Sequence, residues 1–541
     1  MTNPPPALAQ IGRGEQQPKF PNHAERDMEI PATDQQTNQT NQTNSTNKLT
    51  KPTNMKRIFI CADHGLALVY FLQSDIVSTL LEAGVEIVLL TDEALQTQIQ
   101  KRFGQTYFTV EGLRLDQALA YSQTVSPSVQ WWLHFLRRAG ASTRINLEAV
   151  DGFISQVEDE AQGKRRLLFP LMKRVVGFLR SSRLARRALV RYQNRFTPQI
   201  YTDLFEKYQP DLVVASTPGW RLDRYLLREA ANRGVTTAAV IVGWDNSSSY
   251  SLPGAGVDCI SCWSELQKEE LVRGADWHPA RVNIGGVPAY DRYFRKEWLI
   301  PRDEYFQIHG LDPNRRLISY ASSFVTFSPN IQNVEALAHL VSSDQLSRPA
   351  QLLIRLHPTH FMETPRFAAE REAIRELAKE LPHVHVVEPV PLGEGGMSYY
   401  SGEDMPEKSS MMAYSDVMVT VYSTMVVEAS IHGTPVVGLC IDSPEGWPGK
   451  FTLPLTRIGG WPTHLRFRES GAGREALNET DLRAAINRYL ENPSADQQAR
   501  NDFIARECTY TDGSAGKHTA AYLLSLLTLR ELPGNPRDPL F

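Results

Sequence analysis

The sequence predicts an α/β fold of two Rossmann-like domains facing each other across a cleft, behind a disordered N-terminal tail. A chain of 541 residues exceeds what one ordinary core organises, so two domains are expected. Short β-branched apolar runs alternate with helical patterns in two successive arrays, the signature of parallel sheets covered on both faces. The first 54 residues, Pro-rich and then Thr/Asn/Gln-rich as in NQTNQTNSTN, hold too few large apolar side chains to offset ordering entropy.

Order is expected from Met55. The run MKRIFICADHG is a strand ending at Asp63, His64 and Gly65, and a helical pattern follows through Phe71, Ile76, Leu80 and Leu81 before VEIVLLTDE forms a second strand. The alternation resumes at PDLVVAS, with a helix over 221–233, then VTTAAVIVG, DCISCW and RVNIGG. The second array runs RRLISYASS, a helix near 332–343, QLLIRLHP, a helix near 366–380, VHVVEP, DVMVTVYST, a helix from Thr424, and TPVVGL. DGSAGKHTAAYLLSLLTL reads as a terminal helix. The organisation is therefore a tail over 1–54, a first domain over 55–290 with a basic helical insertion about 125–205, a second domain over 291–510, and a C-terminal helix and tail over 511–541.

With 42% hydrophobic and 22% charged residues, most of the chain can bury apolar surface. A formal net charge of -4 gives no global attraction to nucleic acid. Five scattered cysteines argue against a disulfide framework, and Cys259 and Cys262 lack a second pair or a nearby His cluster for zinc, so buried small residues on a strand are expected and no metal is assigned. There is no apolar run of about 18 residues to span a bilayer and no secretory leader pattern, so a cytoplasmic location is expected.

Ligands of open parallel sheets bind beyond the carboxyl ends of the strands. That rule selects Ser322 and Ser323, Arg355 and His357, Ser423 and Thr424, and Glu428 one helical turn on. Ser423 and Thr424 would open a helix whose free N–H groups suit a diphosphate, although both are also ordinary N-caps. Glu428 is placed to accept both hydroxyls of a ribose, or else is a solvated surface charge. Arg355 offers phosphate a rigid fork, with His357 as a second donor on the same side of the strand.

These stretches carry a resemblance. LIRLHP, a helix, and then DVMVTVYSTMVVEASIHGTPVVGL resemble the donor domain of GT-B glycosyltransferases, particularly capsular or surface polysaccharide transferases and CDP-glycerol glycerophosphotransferase-like enzymes. The matching residues are Arg355, His357 and Pro358, then Ser423, Thr424, Glu428 and Ala429, then Gly433, Pro435, Val436 and Val437. Trp244, Asp245 and Asn246 look like the W-D-N segment of surface-carbohydrate transferases, here taken as a cleft loop, and Asp512 and Gly513 look like the D-G-x-A helix that closes such chains. Ser249 and Tyr250 replace the usual Lys-Gly after W-D-N. The resemblance implies a nucleotide-activated sugar or polyol phosphate as donor substrate, no cofactor, and metal independence. Nucleotide-sugar 2-epimerases share this architecture, so an isomerase is the alternative, and a non-catalytic nucleotide-binding protein the third.

On the acceptor side, His64 is expected as the base that removes a hydroxyl proton, with Asp63 as orienter or alternate base. The alternative is that both cap the following helix. Residues 164–195 carry eleven Lys or Arg and no Asp or Glu, interleaved with Leu, Val, Phe and Met. Such a segment suits the anionic inner face of the cell membrane and a lipid-linked acceptor; packing on the first domain, or binding an anionic glycan, are the alternatives. Sparse aromatics in the segment argue against nucleic acid.

Overall fold

The computed structural model describes residues 55–323, 330–361, 365–390, 402–421, 423–441 and 458–528. The tail expected over 1–54 and the last residues of the segment expected over 511–541 lie outside the described residues.

Seven parallel strands form the first sheet: β1 Arg57–Cys61, β2 Glu86–Thr91, β3 Phe108–Gly112, β4 Leu212–Ala215, β5 Thr236–Val240, β6 Cys259–Cys262 and β7 Val282–Ile284. Their order is β3-β2-β1-β4-β5-β6-β7, so the winding reverses between β1 and β4. Six strands form the second: β8 Arg316–Ala321, β9 Ala350–Arg355, β10 Val384–Val387, β11 Val417–Thr420, β12 Val436–Leu439 and β13 Arg474–Ala476, in the order β10-β9-β8-β11-β12-β13. Here the reversal lies between β8 and β11. The expected pair of doubly wound α/β domains is therefore present.

The central strands are mostly apolar and buried because both of their faces are covered. In β1, Ile58 and Ile60 enter one hydrophobic cluster while Phe59 and Cys61 enter another on the opposite face, as the two-residue period of a strand requires. The five cysteines are free and buried, with Cys259 and Cys262 both on β6. The edges differ: β3 is half-exposed along its middle and β13 has three residues, two of them charged. The helices expected near 332–343 and 366–380 are Ile331–Ser342 and Pro365–Glu380, and the one expected over 221–233 is the shorter Arg224–Asn232.

The two halves share a core. One cluster runs from Ile58 and Ile60 through Tyr293 and Trp298 to Met418, Val427 and Phe467, and on to Leu523 of the terminal helix Ala515–Thr528. That helix packs on the first half: Asp291 accepts from the N–H groups of Ala515 (3.0 Å) and Gly516 (2.7 Å), and Thr519 donates to Gly285 O. Arg466, on Pro462–Ser470, pairs with Glu270 (2.7 Å) on Glu265–Gly274 of the first half and with Glu507 (2.8 Å) on Gln497–Cys508.

The insertion between β3 and β4 is helical: Pro127–Ala139, Glu148–Glu160, Lys164–Ser181 and Arg183–Gln193 pack around Phe135, Phe169 and Val176. Helix Lys164–Ser181 is apolar on two sides. Phe169, Val176 and Leu179 face inward, whereas Leu167 (82% exposed), Leu171 (50%) and Phe178 (63%) face out, joined by Leu184 (78%) at the start of the next helix. No single described helix is long and apolar enough to cross a membrane; the bent pair Gly65–Leu72 and Asp75–Glu82 meets the length and composition test together, and most of its apolar side chains are buried in the first half.

Candidate functional site

Cys61 of β1 stands level with Ala215 of β4, so Asp63 and His64 leave the first sheet beside Ser216 and Thr217, at the reversal of strand order. At such a point neighbouring loops turn to opposite faces of the sheet and leave a crevice between them. Asp63 is buried and fully engaged. Oδ1 accepts from His64 Nδ1 (2.7 Å) and Ser216 Oγ (3.2 Å), and Oδ2 accepts from Arg221 Nε (3.1 Å). His64 is the residue before helix Gly65–Leu72, yet its side chain makes no capping bond; only its carbonyl enters the helix. The capping alternative for its ring is therefore not what the structure shows.

Burial by itself would raise the Asp63 carboxyl, but the Arg221 guanidinium and His64 outweigh it and hold the group well below the usual carboxylate range. Burial and then Arg221 push the His64 ring below its ordinary value, against the opposing pull of Asp63. His64 is thus neutral at neutral pH, and donating Nδ1–H to Asp63 leaves Nε2 as the basic nitrogen. Asp63 thus accepts from three donors, one of them the ring N–H of His64. A second buried carboxylate lies close by. Asp223 accepts from Thr217 Oγ1 (2.5 Å) and from the Arg221 N–H (3.1 Å), and burial together with the charge of Asp63 pushes it up to about 7. The loop that carries Ser216, Thr217 and Arg221 is shaped by Gly219, with φ +83, against Gly254, where a Cβ would stand 1.8 Å from Gly219 O. Sequence reasoning missed Ser216, Thr217, Arg221 and Asp223, although the strand-end rule applied to β4 points to this loop.

In the second half, Ala321 of β8 stands level with Thr420 of β11, so Ser322 and Ser323 emerge beside Ser423 and Thr424 at the other reversal. Ser322 Oγ is buried with no hydrogen-bond partner among the described residues, a state that native proteins rarely leave uncompensated. Ser323 donates its N–H to Asn330 Oδ1 (2.8 Å). Ser423 Oγ accepts from Met425 N (3.3 Å), whereas Thr424 precedes the seven-residue helix Met425–Ile431 without a side-chain cap.

Two expectations need correction. Arg355 does not present a free fork: its guanidinium is buried between Asp404 and Glu407, which lie on and just before helix Met405–Tyr414. Glu428 is neither a ribose hook nor a surface charge, for it is buried with Lys408 Nζ at 2.6 Å and Tyr293 OH at 2.9 Å on its Oε2. In both cases removal from water demands an opposite charge, and helix Met405–Tyr414 supplies it. His357 accepts at Nδ1 from the Thr359 N–H (3.2 Å), and burial followed by the charges of His360, Lys408 and Arg355 pushes it down to about 3. It is a neutral ring that shapes the turn after β9.

The W-D-N loop is likewise partly a scaffold. Trp244 is buried, donates Nε1–H to Glu507 (2.7 Å), and packs edge-on against His464 and Phe503. It anchors the C-terminal helices to the first half instead of lining a cleft. Asn246 Oδ1 accepts from the Gly243 N–H (2.9 Å) to close the turn, and Asp245 is half-buried beside it. The two halves touch at Gly402, where a Cβ would meet Val69 Cγ2 at 2.5 Å, and at the Arg102–Glu403 pair (2.8 Å). Among the described residues no group of three or more His, Cys, Asp or Glu side chains is arranged to hold a metal ion.

No family model matches the sequence, and no curated protein matches it. Among solved structures, the chain is similar to UDP-GlcNAc 2-epimerase from Neisseria meningitidis bound to UDP-GlcNAc, at 12% identity over 87% of this chain and 100% of that chain, with a TM-score of 0.47. It is also similar to a glycosyltransferase from Rickettsia africae (11% identity, 88% and 99% covered, TM-score 0.46). A third similar structure is WaaG, a glycosyltransferase involved in lipopolysaccharide biosynthesis (13% identity, 88% and 100% covered, TM-score 0.41).

Two measurements test the electrostatics. Replacing Arg221 by Ala removes a positive neighbour, so the pKa of His64 followed by NMR should rise; an unchanged value would mean that Arg221 does not set it. In the intact protein His64 titrates below its unfolded value of 6.5, so its contribution to stability is present at neutral pH and lost as the pH falls from 6.5 through the lower folded value. Arg355→Ala leaves Asp404 and Glu407 buried without their cation and should cost about 3–5 kcal/mol in urea denaturation. Unchanged stability with weakened nucleotide binding would return Arg355 to the phosphate role.

Proposed function

We propose that the protein is a glycosyltransferase moving a sugar, or a polyol phosphate, from a nucleotide-activated donor to a surface or capsular polysaccharide or a lipid-linked acceptor. The observation that carries this reading is the His64–Asp63–Arg221 group at the reversal point of the first sheet. A neutral imidazole with one nitrogen tied to a carboxylate is the arrangement general-base chemistry needs.

For a sugar donor the step runs as a single displacement. His64 Nε2 takes the proton of the acceptor hydroxyl, whose oxygen forms a bond to the anomeric carbon as the bond to the nucleoside diphosphate breaks. The electron pair of that bond leaves on the diphosphate, and the configuration at the sugar carbon inverts. Asp63 stabilises the imidazolium that results, and the proton then passes to solvent. The hydroxyls of Ser322, Ser323, Ser423 and Thr424 at the reversal point of the second sheet are the groups for the diphosphate. The unpartnered Ser322 Oγ supports that placement.

The outward face of Lys164–Ser181 supports peripheral contact with an anionic membrane surface. Leu167, Leu171 and Phe178 recur at helical spacing beside exposed Arg166, Lys173 and Arg174, apolar side chains for the acyl boundary and cations for the head groups.

Incubation with a panel of nucleotide sugars and a glycan acceptor should give transfer by the native protein and none by His64→Ala, with nucleotide affinity unchanged. Full turnover by His64→Ala would remove the base assignment, and inversion of the donor sugar at C2 without transfer would replace the reading with an epimerase. In flotation, the native chain should rise with vesicles of mixed neutral and anionic phospholipid but not with neutral ones. Replacing Leu167, Leu171 and Phe178 by Ser should abolish the effect, and unchanged flotation would assign the face another role.

A further inference from the structure

Three helices of the first half come together around one depression. Pro127–Ala139 and Arg183–Gln193 come from the insertion, and Arg224–Asn232 follows the β4 loop that carries Arg221. They enclose a small depression lined by His134, Arg137, Gln193, Arg224 and Arg228. Its enclosed volume is about 20 Å³ and the rest is open to solvent, so it suits one small polar group reaching in from the surface and not a nucleotide.

The three guanidinium groups have hydrogen-bond partners but no counter-charge. Arg137 donates to the carbonyls of Tyr250 (3.0 Å) and Leu252 (2.8 Å), Arg228 to those of Gly254 (2.6 Å) and Phe196 (2.9 Å), and Arg224 to that of Arg221 (2.6 Å). Carbonyls satisfy N–H groups without cancelling charge, and among the described residues none of the three pairs with a carboxylate. Asp223, the carboxyl that acts on Arg137 and Arg228 from nearby, is turned to Thr217 and the Arg221 N–H. The cost registers in the two buried members, since burial and the charge of Arg224 pull Arg137 and Arg228 down to about 9. Gln193, only 3% exposed, adds an Nε2 amide with no hydrogen-bond partner among the described residues. Buried cations without counter-charge beside an unsatisfied donor form a site built for an oxyanion.

We infer that this depression binds a phosphate group, and that the group belongs to the acceptor. The first part stands on the cluster alone. The second rests on the transferase reading, and on Arg224, the first residue of its helix, donating to the carbonyl of Arg221, the residue that holds Asp63. An acceptor phosphorylated at one end would then be tethered by its phosphate while its hydroxyl reaches toward His64.

Inorganic phosphate and glucose 1-phosphate, titrated calorimetrically into the full-length protein, test this. Gln193→Leu removes a donor that has no partner and should fold with unchanged or raised Tm, and half-exposed Arg224→Gln keeps the shape of the stem. Each should weaken phosphate about tenfold, the loss of one charge-assisted or amide hydrogen bond to an anion, while leaving nucleoside diphosphate affinity as in the native protein. Native-like phosphate affinity in both variants, or no phosphate binding by the native chain, overturns the site. Entry of phosphate with exclusion of glucose 1-phosphate overturns the acceptor assignment alone. Nucleotide-sugar turnover, measured separately, tells either failure from a failure of the transferase reading.

Discussion

The carboxylate of Asp63 is the fixed point of the first half. Buried at the end of β1, it can stay charged only because donors reach it from three directions: the neighbouring imidazole, a serine on β4's loop and the guanidinium of Arg221. Those contacts fix the His64 tautomer, lock two strand ends to one another, and aim a half-exposed arginine across the crevice. They also set the state of Asp223, since two buried carboxylates this close do not both ionise easily; the one with the guanidinium keeps its charge and the other is pushed toward neutrality.

The second half solves a similar problem with one helical turn. Asp404, Glu407 and Lys408 lie three and four residues apart and so share a face. That face neutralises Arg355 at the end of β9 and Glu428 on the helix after β11, charges of opposite sign at two different strand ends. The edge that sequence reasoning treats as a row of ligand-binding charges is thus held together by internal pairing.

The fold was legible where burial leaves a strong mark. Strands β1, β2, β4, β5, β8, β9, β11 and β12 are covered on both faces and read as short, mainly apolar runs, which makes the double alternation visible without coordinates. The edge strands β3 and β13 escaped because half-exposed FTVEG and the three-residue REA carry no such mark. In the site, Asp63 and His64 could be found because they directly follow a recognisable strand. The partners of Arg355 and Glu428 could not, since they lie 49 and 52 residues away for the first and include one 135 residues away for the second. The basic character of 164–195 was readable, but which of its apolar side chains face outward depends on how the insertion packs.

Helix Ala515–Thr528 follows the last strand of the second sheet in the chain yet completes the wall of the first. On the ribosome, the half that emerges earliest must therefore wait with its surface around Asp75–Glu82 and Asp291 uncovered until nearly the whole chain has been made. Each half borrows from the other across several hundred residues of sequence, so the two settle together, and a break late in the chain is felt first in the part synthesised at the beginning.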